Sequence, residues 1–418
     1  MNTVRRGAAA LAAATVLLGT GAAGAAVAAP AAPSPSAVTI PPGLYGTKDP
    51  TYDGVWRQSL AFLAQRATGF QPSDQAIGWL LDQQCDDGSF SSYRADAKAP
   101  CDAKTMRDTN ATALAVQALR AVRKQSTFPE KVDKAVTSGT DWLRTVQNKD
   151  GGWGYSAGGA SDANSTSVVV GALAATGVRP GSFTSAEGRT PYDALLTFTL
   201  PCSDKAGAGA FAYQPDKTGK LLANADATAA ATLAGLGKSV VATKASPEQP
   251  PVCNDLSKPT IERAALNGAS YLAKAVAKTG HLALPPMPGA TDTSEQPDVG
   301  NTADAVVALA ASGAAKEAKP ALEWLEKNSA AWAKEGGPAA YAQLILAARA
   351  TDTDPREFGT ADLVEQLNAT GPEPKTPDTS ASSTSDDEGG LGFDLWWIIG
   401  IGMVVGVGIG FLVSGRKK

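Results

Sequence analysis

The chain has 418 residues, with 37 Lys and Arg against 41 Asp and Glu, one histidine, four cysteines and 6% aromatic residues. A mildly acidic balance argues against a nucleic-acid partner, because phosphate binding draws on a basic face. A single histidine argues against a zinc centre, and neither a metal nor a cofactor is expected.

Residues 1–29 carry Arg5 and Arg6, an Ala/Leu/Val stretch, and Val27-Ala28-Ala29 before Pro30. Charged, apolar and small-residue regions in that order make a cleaved secretion signal. Residues 30–49 form a linker, and from 50 to 370 the chain repeats a unit of two helices. The first half carries an aromatic-Leu step with a glycine nine residues on: Trp79-Leu80 with Gly88, Trp142-Leu143 with Gly151, Tyr271-Leu272 with Gly280. Trp324-Leu325 repeats the step with its glycine displaced to Gly336. Phe90 and Trp153 stand two residues after their glycines, so the pattern is a helix ended by an Asp-Gly turn, Asp87-Gly88 or Asp150-Gly151.

The second half opens with Asp or Asn four residues before a threonine: Asp108 and Thr112, Asp162 and Thr166, Asn224 and Thr228, Asp298 and Thr302. Ala/Val/Leu-rich sequence follows each threonine, apolar nearly all round a helix, which marks burial. Six such helices are predicted near 53–66, 108–123, 162–176, 224–237, 299–312 and 337–351. Six others alternate with them near 73–84, 129–147, 190–200, 258–278, 316–333 and 359–369. A two-helix unit cannot cover its own apolar face, so copies must stack. The expected fold is all-α, twelve helices in six pairs closed as an α/α toroid with the small-residue helices inside.

Residues 371–394 are Pro, Ser, Thr and acid with little to bury, and read as a disordered stalk. Residues 395–413 are uncharged, and a helix of that length is about 28 Å long, near the roughly 30 Å of a bilayer core. Gly402, Gly406 and Gly410 line one face of that span. Arg416, Lys417 and Lys418 in the tail 414–418 keep the C-terminus cytoplasmic and the body outside. Without these three cations and Arg5 and Arg6, the exported part has a net charge near −9. Its cysteines should form two disulfides. Cys85–Cys101 with Cys202–Cys253 is favoured, since each closes one loop between helices, although four cysteines admit three connectivities.

The stretch GTDWLRTVQNKDGGWGY, Gly139 to Tyr155, resembles the Gln-Trp repeat of squalene–hopene cyclases. The helix pair is similar to the α/α-toroid superfamily those enzymes share with protein prenyltransferase β-subunits. DGGWGYSAGGASDANSTSVVVGAL, Asp150 to Leu173, also resembles the non-enzymatic branch, the helical domain of transcobalamin and intrinsic factor. The superfamily mixes enzymes with binders, so the resemblance implies the fold more sharply than the function.

Enzymatic readings find little in these residues. The D-x-D-D acid motif of the cyclases is absent, as is the Gly-Cys-Gly-Glu-Gln string of thioester domains; Asp86-Asp87 lies in a turn and Asp386-Asp387-Glu388 in the stalk. His281 follows a repeat glycine and reads as a turn residue, and disulfide-bound cysteines cannot supply zinc thiolates. Asp108, Asp162 and Asp298 would serve a glycosidase-like carboxylate pair, but Asp or Asn just before a helix is more often its N-cap. The same positions have a binding reading. If the inner helices all start at one end, Asp108, Asn110, Asp162, Asn164, Asn224, Asp226 and Asp298 surround one opening, and Tyr155 stands beside the best-formed turn. The expectation is a membrane-anchored, cell-surface protein that binds a small ligand there for uptake without chemistry. The resemblance implies a corrinoid, held with a transporter or lid protein as partner because the second domain of transcobalamin is missing. An enzyme on lipid or polysaccharide and a structural or protein-docking role are the alternatives.

Overall fold

The computed structural model describes residues 39–284 and 296–376. The expected secretion signal at 1–29, the membrane span at 395–413 and the tail at 414–418 lie outside the described residues, as does the stalk beyond 376. No helix among the described residues is long and apolar enough to cross a membrane.

The described residues are mostly helical. In chain order the α-helices are α1 (Gly54–Ala67), α2 (Asp74–Asp82), α3 (Thr109–Val122), α4 (Pro129–Thr145), α5 (Ala163–Ala175), α6 (Pro191–Leu196) and α7 (Ala225–Gly235). They continue as α8 (Ile261–Val276), α9 (Val299–Ala311), α10 (Ala315–Asn328), α11 (Ala330–Gly336), α12 (Pro338–Ala350) and α13 (Leu363–Asn368). One antiparallel pair, β1 (Leu282–Ala283) and β2 (Pro297–Asp298), precedes α9. Thirteen α-helices are therefore described where twelve were expected. The predicted helix at 316–333 is divided at Ser329, which ends α10 by donating to Leu325 and starts α11 by accepting from Ala333.

Two burial patterns sort the helices. In α4 the buried residues Val132, Ala135, Val136, Gly139, Trp142 and Leu143 form a single stripe at helical spacing. In α9 nearly every residue from Thr302 to Ala311 except Asp304 is buried. Striped helices have one packed face and buried ones are surrounded, and the contacts follow: α1 packs on α3, α3 on α5, α5 on α7, α7 on α9, α9 on α12, and α12 on α1. Each also carries a partner, α2 on α1, α4 on α3, α6 on α5, α8 on α7, α10 on α9 and α13 on α12. Small residues permit the close approach. A Cβ on Gly139 would lie 2.6 Å from Val116 Cγ2, and one on Gly268 would lie 2.6 Å from Thr232 Oγ1. Each fully buried Leu or Val in these interfaces contributes roughly 1.5–3 kcal/mol relative to exposure.

The folded body extends past the expected boundaries at 50 and 370. Tyr45 is fully buried, Gly46 N–H donates to Thr370 O at 2.8 Å, and the Tyr45 hydroxyl donates to Pro372 O at 2.7 Å. Gln71 and Lys375 exchange two backbone hydrogen bonds of 3.1 and 2.8 Å. These contacts tie both ends of the body to each other where α12 meets α1. The disulfides are Cys85–Cys101 and Cys202–Cys253.

Candidate functional site

The loops before α3, α5, α7 and α9 are built to one plan. Gly88, Gly151, Gly209 and Gly280 all have positive φ, which glycine adopts without steric cost. Two residues on, the N–H groups of Phe90, Trp153, Phe211 and Leu282 donate to the hydroxyls of Thr112, Thr166, Thr228 and Thr302 at 2.8, 3.1, 2.9 and 2.9 Å. Asp108, Asp162 and Asn224 return their own N–H groups to the carbonyls of Phe90, Trp153 and Phe211. The repeat threonine therefore locks the turn onto the helix it precedes.

The expected cap residues are caps. Side-chain oxygens of Asp108, Asp162, Asn224 and Asp298 accept from the N–H groups of Ala111, Ser165, Ala227 and Asn301 at 2.8, 2.7, 2.8 and 3.2 Å. Burial raises the carboxyl pKa of Asp108 and of Asp162, with the cap hydrogen bonds opposing. Tyr155 belongs to the first of these caps. Its carbonyl accepts from Thr109 N–H at 2.9 Å, and its hydroxyl bonds the side chains of Asp108 and Ser92. Tyr213 repeats the arrangement one unit later, with its carbonyl bonded to Ala163 N–H and its hydroxyl to Asp162. Sequence reasoning missed Tyr213, although Gly209-Ala-Phe211-Ala-Tyr213 has the spacing of Gly151-Gly-Trp153-Gly-Tyr155.

Residues two and six positions past the caps behave differently. Asn164 on α5 donates to Asp226 on α7 at 2.6 Å, and Gln343 on α12 donates to Asp304 on α9 at 3.2 Å. The charges of Asp226 and Asp298 both act on Asp304, so α5, α7, α9 and α12 contribute to one cluster. Burial, then the neighbouring charge of Asp226, pushes the Asp304 carboxyl up to about 7, against the hydrogen bond from Gln343. Burial also raises Asp226, the Asn164 hydrogen bond opposing and the Asp298 charge assisting. No basic side chain contributes to either shift. At the equivalent place in α9 stands Gly300, where a Cβ would lie 3.4 Å from Trp332 Cζ2 and 3.7 Å from the Gln343 amide.

With the Asn164 and Gln343 amide N–H groups donating to carboxylates, what the cluster still offers is mainly acceptors. Asn164 Oδ1, and Asn110 Oδ1 at the matching position of α3, are buried without a hydrogen-bond partner among the described residues. A buried acceptor left unpaired costs about 1–3 kcal/mol, so such a group calls for an explanation. Of the expected rim, Asn164, Asp226 and Asp298 meet in this cluster, Asp108 and Tyr155 meet in another, and Asn224 serves as a cap. Asp304 and Gln343 were not anticipated, and each stands in a mostly apolar run, TADAVVAL and AAYAQLILAA.

No protein-family model matches the chain, and no curated relative does. Among solved structures, a protein from Actinoplanes is 17% identical, covering 70% of this chain and 100% of its own, with a TM-score of 0.32. A sugar epimerase from a ruminal bacterium is 14% identical over 68% of this chain and 80% of its own, at 0.42, and a wild-type glycosidase is 12% identical over 71% and 87%, at 0.43. Identities and scores this low speak to neither substrate nor chemistry.

Proposed function

We propose that the inner helices form an α/α toroid and that the protein captures a small ligand at the end where those helices begin, anchored on the outer face of a membrane for uptake. The observation that carries the reading is the acceptor cluster of Asn164, Asp226, Asp304 and Gln343, with its unpaired Asn164 oxygen and two carboxyls held above their ordinary range. A ligand whose edge offers N–H or O–H groups relieves both features, pairing the free oxygen and satisfying carboxyls that otherwise repel each other. Polyanions are disfavoured by the same charges. The resemblance of Asp150 to Leu173 to the transcobalamin helical domain makes a corrinoid, with its border of amides, the first ligand to test, and a transporter or lid protein the expected partner.

Isothermal titration of the full-length chain with cobalamin and cobinamide tests this. Binding that Asn164→Ala or Asp226→Asn weakens at least tenfold, about 1.4 kcal/mol, is expected. No heat with either corrinoid excludes that ligand class, and binding untouched by both substitutions removes the ligand from this cluster.

One observation favours a second reading. A carboxyl near 7 beside a second carboxylate is what acid–base catalysis requires, so hydrolysis of a polysaccharide is the enzymatic alternative. Release of reducing ends from bacterial polysaccharides, abolished by Asp304→Asn, would establish it over simple capture.

A further inference from the structure

A second region is shaped for a ligand, away from the acceptor cluster. The chain between the turn at Gly88 and the start of α3 forms a loop of irregular structure, and loops of this length inside compact bodies are usually functional. It is braced throughout. The Cys85–Cys101 disulfide closes it, and the Arg94 guanidinium donates to the carbonyls of Asp82, Gln84 and Ala97. Arg107 pairs with Asp87 at 3.1 Å, and the Asp102 carboxylate accepts from Lys104 N–H and from the Thr105 N–H and hydroxyl. Bracing of this kind holds the loop in one shape, which lowers the ordering cost of binding to it.

That surface is a cleft of about 550 Å³, within the size range of small-molecule sites. Its lining includes Tyr52, Tyr93, Tyr155 and Met106, with Ser91 and Thr105 among them. Tyr52 is 87% exposed, Met106 53% and Tyr155 43%, an unusual concentration of bare apolar surface. Two of the rings are fixed: Tyr93 stacks on Trp79 with centroids 6.5 Å apart, and Tyr155 is pinned through its hydroxyl by Asp108 and Ser92. The charged groups are largely spent on the loop itself, Arg94 on carbonyl oxygens and Asp96 and Asp102 on backbone N–H groups. What is left for a ligand is three tyrosine faces, two of them fixed, the Lys104 ammonium, and the lone pairs that the hydroxyls and carboxylates of the lining keep beyond their own hydrogen bonds.

We propose that this cleft is a binding site for a neutral oligosaccharide. A pyranose ring presents apolar C–H faces that stack on tyrosine and hydroxyl edges that donate to the remaining lone pairs of Ser91, Thr105, Asp96 and Asp102. A flat hydrocarbon would strip water from those acceptors without replacing it, and a polyion would meet a lining of mixed sign, Arg94 and Lys104 beside Asp96 and Asp102. Tyr52 is the outer platform, since its ring is bare and the other two are held by the body.

The test is saturation-transfer NMR and titration of the full-length chain with maltotetraose, cellotetraose and triacetylchitotriose at millimolar concentrations. Binding of at least one is expected, weakened tenfold or more by Tyr52→Ala, retained by Tyr52→Phe, and weakened by Met106→Glu, with the melting temperature unchanged in all three. Absence of binding to all three sugars overturns the proposal, as does binding indifferent to Tyr52→Ala. The outcome is independent of the corrinoid titration, because no residue of the acceptor cluster lines the cleft.

Discussion

Asp304→Asn should stabilise the protein, and by an amount that depends on pH. Burial and the charge of Asp226 raise the Asp304 carboxyl from 3.8 to about 7, so the fold disfavours its anion. A raised carboxyl pKa brings no penalty below 3.8, a growing one as pH rises from there towards 7, and the full penalty above 7. At about 1.36 kcal/mol for each tenfold change in proton affinity, the full value is roughly 4 kcal/mol. Protein surrounds Asp304 closely, yet part of its surface stays accessible, so water in the opening screens the charge and we take about half, ~2 kcal/mol. Asn keeps an oxygen for the Gln343 amide and carries no charge. For a body of this size each kcal/mol is worth about 2 °C in melting temperature. Thermal unfolding followed by circular dichroism should show Asp304→Asn melting about 4 °C higher than the parent near pH 8, and by less than half of that near pH 5. An equal shift at both pH values, or a loss near pH 8, would refute the assignment of Asp304 as a strained buried acid.

Two further outcomes follow from the frame. Removing Cys202–Cys253, which spans 51 residues, should cost about 1 kcal/mol more than removing Cys85–Cys101, which spans 16, because the longer loop gains more chain entropy when unfolded; guanidinium unfolding of the paired Cys→Ser variants decides it, and the reverse order would count against an entropic role. Gly151 has φ +92° and a Cβ there would lie 2.2 Å from Thr190 O, whereas Gly158, at φ +77°, has nothing within 4 Å. Gly151→Ala should therefore be roughly 1–3 kcal/mol more destabilising than Gly158→Ala by chemical denaturation, and equal costs would show that the loop simply moves aside.

The helical repeat was legible because its signals are local and repeated. An aromatic-Leu step, a turn glycine, a cap and a threonine four residues later place α3, α5, α7 and α9 within a residue or two, since each of those types performs one fixed task in the turn. The pattern was less visible around α6, which is only Pro191–Leu196, because a disulfide-bearing loop separates that helix from its turn at Gly209. The helix and its turn are no longer nine residues apart, although the turn itself, Phe211 and Tyr213 included, keeps its spacing. Ser329 gave no warning that it would divide a helix, since serine is tolerated inside one.

The site was harder to read for a reason that the same repeat supplies. Asp108, Asp162, Asn224 and Asp298 stand out in the sequence because the repeat needs them, and in the structure their oxygens are already committed to helix N–H groups. Function is better sought where a residue breaks the repeat without helping the fold. Asp304 is such a residue: it sits where Val168 stands in α5 and Ala230 in α7, satisfies no helix end, and is held near neutrality beside Asp226 at a cost to stability. Gln343, the one polar side chain in the middle of α12, meets it from across the helix contact. Packing alone does not require this pair of polar groups in mostly apolar helices, and the pH-dependent gain expected of Asp304→Asn measures what the fold gives up to keep it.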